Sequence, residues 1–299
     1  MTDNEYLQKT LDSQTLQEEG DEMKALRQHR DDVETLLRKK FAAPIIRYGG
    51  SKAKGTMIRE SYDLDVICYF DNDDASAGET LKEIYGSVKG ALKDDYFIEE
   101  KPSALRLKGC DDTNPDFHID VVPGRFTDGD RDDAFLYRSS GEKGRQKTNL
   151  QKHIDHISDS GVRDAIRLMK LWRSRNALSV RIFILELLTV ELLQGRASES
   201  LTAQLVHVWT ELRDHIAAIA IEDPANPTGN DLSELLDDAI KEELRTVASD
   251  TLADIESSGW EAVFGALEQS TEAQKRDVLR QAPSIVVAAP KPWVSLEDD

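Results

Sequence analysis

The sequence has little cysteine, no excess of positive charge and no long apolar run. Cys68 and Cys110 are the two cysteines among 299 residues, too few for the disulfide framework of a small secreted protein. No apolar stretch approaches membrane-spanning length, and the opening MTDNEYLQKT lacks the basic start and apolar stretch of a signal peptide. We therefore expect a cytoplasmic protein with no membrane partner.

Acidic residues outnumber basic ones. The 57 Asp and Glu residues exceed the 38 Lys and Arg residues and give a formal net charge of −19. Such a charge repels other polyanions, so tight sequence-independent binding to DNA, RNA or anionic lipid would need a local cationic patch.

The first half of the chain alternates helix and strand patterns. Apolar residues spaced by three, four and seven predict one long amphipathic helix over residues 13–40. The elements predicted after it are a strand over 44–48, a short helix opened by the turn GGSKAKGT, a strand over 62–70, a helix over 79–92, and strands over 96–99, 104–108 and 117–122, the last closed by Pro123 and Gly124. Residues 1–148 therefore read as an α/β (α+β) lobe with a mixed sheet.

The second half is helical. Helix patterns cover 150–158, 162–175, 181–194, 201–220, 232–258 and 260–281, which predicts a helical lobe over 149–282. The segment DPANPTGN at 223–230 interrupts them, because its prolines and glycine disfavour regular structure. Residues 283–299 hold three prolines and are expected to form an extended tail.

Three aspartates occupy strand-like segments. Asp63 and Asp65 are two residues apart, so strand alternation points both carboxylates to one face, and Asp120 lies in the later apolar segment FHIDVVP. Carboxylates held together repel one another unless a hard divalent cation, Mg²⁺ or Mn²⁺, separates them. If the strands are neighbours, three carboxylates can hold two ions about 4 Å apart. Edge-strand aspartates kept for solubility are the alternative.

The turn GGSKAKGT lies just upstream of the first two aspartates. Its glycines allow close backbone approach, the Ser51 hydroxyl can bind an oxygen, and the start of the short helix presents N–H groups to an anion. An ordinary strand-to-helix turn is the alternative. The turn, the DxD spacing and the later strand aspartate are together much more specific than any one of them.

These residues resemble the DNA polymerase beta superfamily of nucleotidyltransferases. The pattern of that superfamily is a GS turn, a DxD or DxE strand and a third acidic strand, which Gly50, Ser51, Asp63, Asp65 and Asp120 match. The order of VVPG, IRLMKLW, LELLTVELL and DPANPTGN along the chain further resembles the branch of 2′-5′ oligoadenylate synthetases, cyclic GMP-AMP synthase and the bacterial cGAS/DncV-like enzymes.

The resemblance implies roles for particular residues. Asp63 and Asp65 would hold two Mg²⁺ or Mn²⁺ ions, and Asp120 would complete the site and help to deprotonate the acceptor hydroxyl. The nucleotide triphosphate would be held by Gly50, Ser51, Lys170 and Ser179.

The helix over 162–175 can also be read directly from its periodicity. Arg163, Arg167 and Lys170 fall on one narrow face, which predicts a solvent-facing cationic stripe for a polyanionic ligand. The alternative is a solvated face paired with nearby acidic residues. Glu186, by contrast, lies among apolar residues, and we expect an Arg or Lys partner for it.

The resemblance implies an enzyme that joins NTPs, or dNTPs, into a short linear or cyclic oligonucleotide messenger and releases pyrophosphate. In bacteria such a messenger typically belongs to antiphage defence and is read by a downstream effector protein. One alternative is a nucleotidyltransferase that modifies a tRNA end or a protein, although the net charge argues against a tRNA substrate. Another is a non-catalytic nucleotide-binding module.

We predict that long double-stranded DNA or RNA does not activate this chain. Activation by a duplex needs a cationic surface that neutralises several phosphates, whereas residues 13–40 carry seven acidic and six basic residues and offer no one-signed stripe. The measurement is product formation at physiological salt with and without a long duplex. Stimulation of about tenfold or more that fades with added salt would contradict the prediction.

Overall fold

The N-terminal region forms two helices instead of one. The computed structural model describes residues 1–62, 64–109, 118–140 and 144–267. Helix α1 (Asp3–Ser13) and helix α2 (Asp21–Lys40) are separated by residues 14–20. The prediction of a single helix over 13–40 is therefore wrong at its start. Leu16 and Met23 keep helical spacing across the break and pack in one core, so periodicity does not reveal it.

The strands form one mixed sheet. They are β1 (Ile45–Tyr48), β2 (Leu64–Phe70), β3 (Phe97–Glu100), β4 (Leu105–Lys108), β5 (Ile119–Phe126), β6 (Asp133–Tyr137) and β7 (Arg145–Asn149). The order is β1-β2-β5-β4-β3, with β6 pairing with both β5 and β7. Strands β2 and β5 are parallel and the other pairs are antiparallel. The predicted mixed sheet is thus confirmed.

Strand β5 is longer than predicted, and β6 and β7 were not predicted. Residues 119–121 of β5 pair with β4, and residues 124–126 pair with β6. Pro123 lies between these two stretches and is in register with no residue of β4 or β6. Its missing N–H group therefore costs no hydrogen bond to either strand. The proline therefore marks a change of neighbour and not the end of the strand.

Alternation along β2 supplies two separate cores. Val66, Cys68 and Phe70 pack with α2 and α4 (Leu81–Leu92) on one face of the sheet, which confirms the buried position expected for Cys68. Ile67 and Tyr69 point to the opposite face and pack in a smaller cluster with side chains of β5 and β6. Cys110 lies outside the described residues.

The remaining helices surround a third core. They are α5 (Leu150–Ser158), α6 (Arg163–Arg175), α7 (Ile182–Leu192), α8 (Leu201–His215), α9 (Asp238–Ser258) and α10 (Glu261–Phe264), with 3₁₀ turns at Ile216–Ala218 and Ser233–Leu235. Trp209 packs between Trp172 and Trp260, with ring centroids 5.9 and 5.8 Å away. The buried side chains of α1 join this helical core.

The predicted bounds at residues 148 and 282 stay predictions. The last part of the predicted helix over 260–281 and the whole predicted tail over 283–299 lie outside the described residues. Among the helices that the structure describes, none is both long and apolar enough to cross a membrane.

Gly124 is expected to be indispensable for the packing of β5. A Cβ at this position would stand 2.8 Å from Leu136 Cδ2 and 2.8 Å from Tyr69 Cε1. We predict that Gly124→Ala destabilises the fold by about 1–3 kcal/mol through overpacking. Gly86→Ala is the control: a Cβ on this α4 glycine meets nothing within 4 Å, and helix propensity should stabilise the fold by up to about 1 kcal/mol. Urea unfolding measures both, and equal effects would contradict the packing argument.

Candidate functional site

The parallel pairing of β2 with β5 brings two of the predicted carboxylates together. Asp65 and Asp120 are partners in the strand register, and adjacent strands lie about 4.8 Å apart. Asp65 alternates with Val66, and Asp120 with Val121, so both side chains lie on the sheet face opposite α2 and α4. Asp63 lies outside the described residues.

The predicted turn lies directly beside Asp65. Gly49 N donates to Asp65 O at 3.1 Å, and Gly50 has a φ of +72° at the start of helix α3 (Gly50–Lys54). A Cβ on Gly50 would stand 2.0 Å from Asp65 Oδ2. Only glycine combines this φ with this approach to the carboxylate.

Ser51 follows in the same turn. Its Oγ is shielded from solvent and has no hydrogen-bond partner within the part of the chain that the structure describes. A buried hydroxyl without a partner is costly, and it is commonly explained by a ligand, an ion or a water. This atom therefore fits the predicted contact with a phosphate oxygen.

Tyr48 attaches the strand that precedes the turn to helix α2. Its hydroxyl donates to the Glu34 carboxylate, and the Arg30 guanidinium lies 4.8 Å from the centre of its ring. Burial, together with the hydrogen bond to Glu34, raises the pKa of Tyr48 to about 12. The phenol therefore remains a donor at physiological pH and holds the end of β1 in place.

A buried carboxylate attaches the other end of the turn to the helical core. Glu186 of α7 is fully buried and accepts hydrogen bonds from Lys54 Nζ and Thr56 Oγ1, each at 2.7 Å. Thr56 N in turn donates to Ser51 O at 2.8 Å. The expected cationic partner of Glu186 is thus confirmed as Lys54, and α3 is fixed at both ends.

Lys170 belongs to this buried group and not to a solvent-facing stripe. It is 2% exposed, and its Nζ donates to Thr56 O at 2.9 Å. Arg167, from the same predicted face, donates to Leu11 O and to Thr15 Oγ1. The predicted stripe is therefore wrong at Lys170 and Arg167, because the ends of α1 and α3 and the residues just after them cover this part of α6, whereas Arg163 is exposed as predicted. Two hydrogen bonds, through Thr56, still connect Lys170 with Ser51.

Ser179 contacts a different part of the molecule. Its N and Oγ donate to the Glu243 carboxylate of α9 at 2.9 and 3.1 Å. A phosphate at Ser179 would have to displace that carboxylate and would be repelled by it. The phosphate-binding role of Ser179 stays a prediction that this contact disfavours.

Arg106 is a charged residue of the site that the sequence did not single out. It lies on β4 in register with Asp120, and its Nε and Nη2 donate to the two carboxylate oxygens of Asp120 at 2.9 and 2.8 Å. The alternation of Leu105, Arg106 and Leu107 could have placed Arg106 on a polar face. Its pairing with Asp120 depends on strand register, which no local pattern shows.

The segment DPANPTGN is fixed by its first residue. Asp223 is fully buried and accepts from His153 Nε2 at 2.9 Å, Asn230 Nδ2 at 2.6 Å and Ala225 N at 2.8 Å. Burial acts to raise the pKa of Asp223, but these hydrogen bonds outweigh it and the pKa lies below its usual value. Asn230 also donates to Lys147 O in the middle of β7, so this segment joins the helices to the sheet.

The donor set fits hard divalent ions and a triphosphate. Within residues 1–62, 64–109, 118–140 and 144–267, no three metal-binding side chains form a cluster, and Asp63 is not among these residues. The described part of the site offers the carboxylates of Asp65 and Asp120, which are the oxygen ligands that Mg²⁺ and Mn²⁺ prefer. The partnerless Ser51 Oγ and the side-chain-free Gly50 suit a phosphate beside them.

Known structures share this architecture. CdnC of Escherichia coli MS115-1, solved with ATP, is 20% identical and has a TM-score of 0.64, covering 90% of this chain and 99% of that chain. The CD-NTase CdnG of Bradyrhizobium diazoefficiens, solved with GTP, is 13% identical with a TM-score of 0.61 and coverages of 91% and 98%. DncV of Vibrio cholerae, a cyclic AMP-GMP synthase solved with nonhydrolyzable GTP, is 18% identical with a TM-score of 0.59 and coverages of 88% and 84%.

These likenesses show the fold. The chain has the nucleotidyltransferase fold of the CD-NTase structures, which confirms the predicted fold class and, at the level of the fold, the resemblance to cGAS/DncV-like nucleotidyltransferases. No protein-family model matches the chain, and no curated protein matches it in sequence.

We predict that Lys54→Met lowers the free energy of unfolding by about 3 kcal/mol, because it leaves the buried Glu186 charge without its cation. Lys52→Met is the matched control in the same helix. Lys52 pairs with Glu18 at 3.3 Å, and both side chains are exposed, so its loss should cost less than about 1 kcal/mol. Urea unfolding of the two variants tests the difference, and similar losses would contradict the role of the buried pair.

Proposed function

We propose that this chain is a metal-dependent nucleotidyltransferase that joins NTPs into a short oligonucleotide and releases pyrophosphate. The observation that carries the proposal is the contact between the GS turn and the parallel strand pair. Asp65 lies so close to Gly50 that position 50 has no space for a side chain, and Asp65 is in register with Asp120. Ser51, in the same turn, presents a buried hydroxyl without a described partner. A donor triphosphate and a pair of metal-binding carboxylates can thus be held next to each other.

Each residue has one proposed task. Asp65 and Asp120, with Asp63 by its sequence position, would hold two Mg²⁺ or Mn²⁺ ions, which supply activation of the attacking hydroxyl and stabilisation of the leaving pyrophosphate. Gly50 and Ser51 would bind the triphosphate. Asp120 is also the proposed acceptor of the proton from the attacking hydroxyl.

Lys170 and Ser179 are the other two residues that the sequence predicts to hold the triphosphate. Lys170 is buried and reaches the turn through Thr56, so we propose that it supports the triphosphate by holding the turn. We also propose that Ser179 binds the triphosphate, which requires its hydroxyl to leave the Glu243 carboxylate.

The substrate and product classes rest on the structures with the same fold. CdnC was solved with ATP, CdnG with GTP, and DncV is described as a cyclic AMP-GMP synthase, which supports NTPs as substrates. Because one active site can use each product as the next acceptor, repeated transfer would give a linear or cyclic oligonucleotide messenger. We further propose that a downstream effector protein reads this messenger in bacterial antiphage defence, and that the enzyme acts in the cytoplasm.

The decisive experiment incubates purified protein with labelled NTPs or dNTPs and Mg²⁺ or Mn²⁺ and identifies products by mass spectrometry. We predict that Asp63→Asn combined with Asp65→Asn lowers pyrophosphate release by at least about a thousandfold, because metal activation contributes several kcal/mol. The melting temperature without metal should hold or rise, because the double variant removes two carboxylates that strand alternation predicts to repel each other.

Asp71→Asn is the control for that variant. Asp71 lies just beyond the opposite end of β2, where it pairs with Arg131, so its replacement should leave turnover unchanged. Full turnover by the double variant would overturn the assignment. Transfer of the label to a tRNA or protein, with no small oligonucleotide formed, would instead favour a macromolecule-modifying enzyme.

A further inference from the structure

Four charged residues form a row across one face of the sheet. Glu99 of β3 is in register with Arg106 of β4, Arg106 with Asp120 of β5, and Asp120 with Asp65 of β2. The row therefore alternates in sign from Glu99 to Asp120, and two carboxylates are neighbours only at its last step.

Arg106 is the cation within this row. Its two donor nitrogens engage both oxygens of Asp120 at 2.9 and 2.8 Å. Glu99, its other registered neighbour, accepts from Lys101 and from Lys108 Nζ. Because the planar guanidinium contacts both oxygens, it fixes the orientation of the Asp120 carboxylate and offsets its negative charge.

This pair matters for metal binding, and the following inference rests on the proposed function. A divalent ion that uses Asp120 meets an oxygen already engaged by Arg106, and it approaches a positive charge a few ångströms away. Both effects weaken binding of the ion alone. A nucleoside triphosphate brings several negative charges to the same place and offsets the cation.

We propose that Arg106 is a positioning residue that makes metal loading depend on nucleotide. In the nucleotide-free protein it orients and neutralises Asp120, so Mn²⁺ or Mg²⁺ binds weakly. When a triphosphate binds beside Ser51, its charge compensates Arg106 and the ions bind with it. The carboxylates thus stay together without metal, and the site fills when substrate is present.

The test measures Mn²⁺ binding by electron paramagnetic resonance, with and without a non-hydrolysable ATP analogue. We predict that Arg106→Gln binds Mn²⁺ about tenfold more tightly than the wild type when nucleotide is absent, and that this difference shrinks when the analogue is present. Arg106→Lys keeps the positive charge but loses the two-oxygen contact, so its affinity for Mn²⁺ should lie between those of the wild type and Arg106→Gln.

Arg131→Gln is the matched control. Arg131 donates to both oxygens of Asp71 at 2.8 Å, the same kind of pair near the opposite end of the sheet. Its removal should leave the affinity for Mn²⁺ unchanged. The Arg106 and Asp120 side chains are partly exposed, so both Gln variants are expected to fold, and melting curves check this.

The outcomes separate the two proposals. Equal or weaker Mn²⁺ binding by Arg106→Gln, in a protein whose wild type binds Mn²⁺ and makes product, overturns the role of Arg106 alone. If Arg106→Gln does not fold, the Mn²⁺ affinities of the wild type and of Arg106→Lys decide. If the nucleotide analogue does not raise these affinities, the proposed role of Arg106 is overturned. A wild type that binds no Mn²⁺ even with the analogue overturns both proposals.

Discussion

The buried carboxylate of Glu186 is the constraint on which the arrangement of the site depends. A charged group that is shielded from solvent needs an opposite charge or hydrogen-bond donors. Glu186 accepts hydrogen bonds from Lys54 and Thr56, which lie on either side of residue 55 in the sequence. Because Thr56 also bonds Ser51 and Lys170, the turn beside Asp65 is tied to α6 and α7. The sheet provides the carboxylates, and the helical core determines where the turn stands next to them.

Much of the fold could be predicted from the sequence, and the failures have physical causes. Helices α5 to α8 and strands β2 and β4 begin or end within a few residues of their predicted bounds, because strong apolar periodicity reports one buried face. Helix α1 was missed because few of its residues are apolar, although Tyr6, Leu7 and Leu11 are buried. Strands β6 and β7 are short, and Arg145–Asn149 is wholly polar in sequence, so sheet pairing alone defines it.

The candidate site could be predicted where the position of a residue follows from a local sequence pattern, such as a turn motif or strand alternation. Gly50, Ser51, Asp65 and Asp120 come together through a turn and two alternating strands. Lys170 was misplaced because periodicity assigns charged residues to solvent, whereas a lysine with a carbonyl acceptor can be buried. Arg106 and the identity of Lys54 as the partner of Glu186 depend on contacts between distant elements. Such contacts are decided by register and packing, which a single sequence does not display.

The distances along the chain between these partners give the site an order of assembly. Arg106 and Asp120 are 14 residues apart, while Lys54 and Glu186 are separated by 132. Contacts between remote residues form late in folding, because the entropy of closing a long loop must be met first. During synthesis the carboxylate row can therefore take shape as soon as the sheet leaves the ribosome. The GS turn gains its anchor to Glu186 only after α7 has emerged and docked, so the two halves of the site are completed at different times.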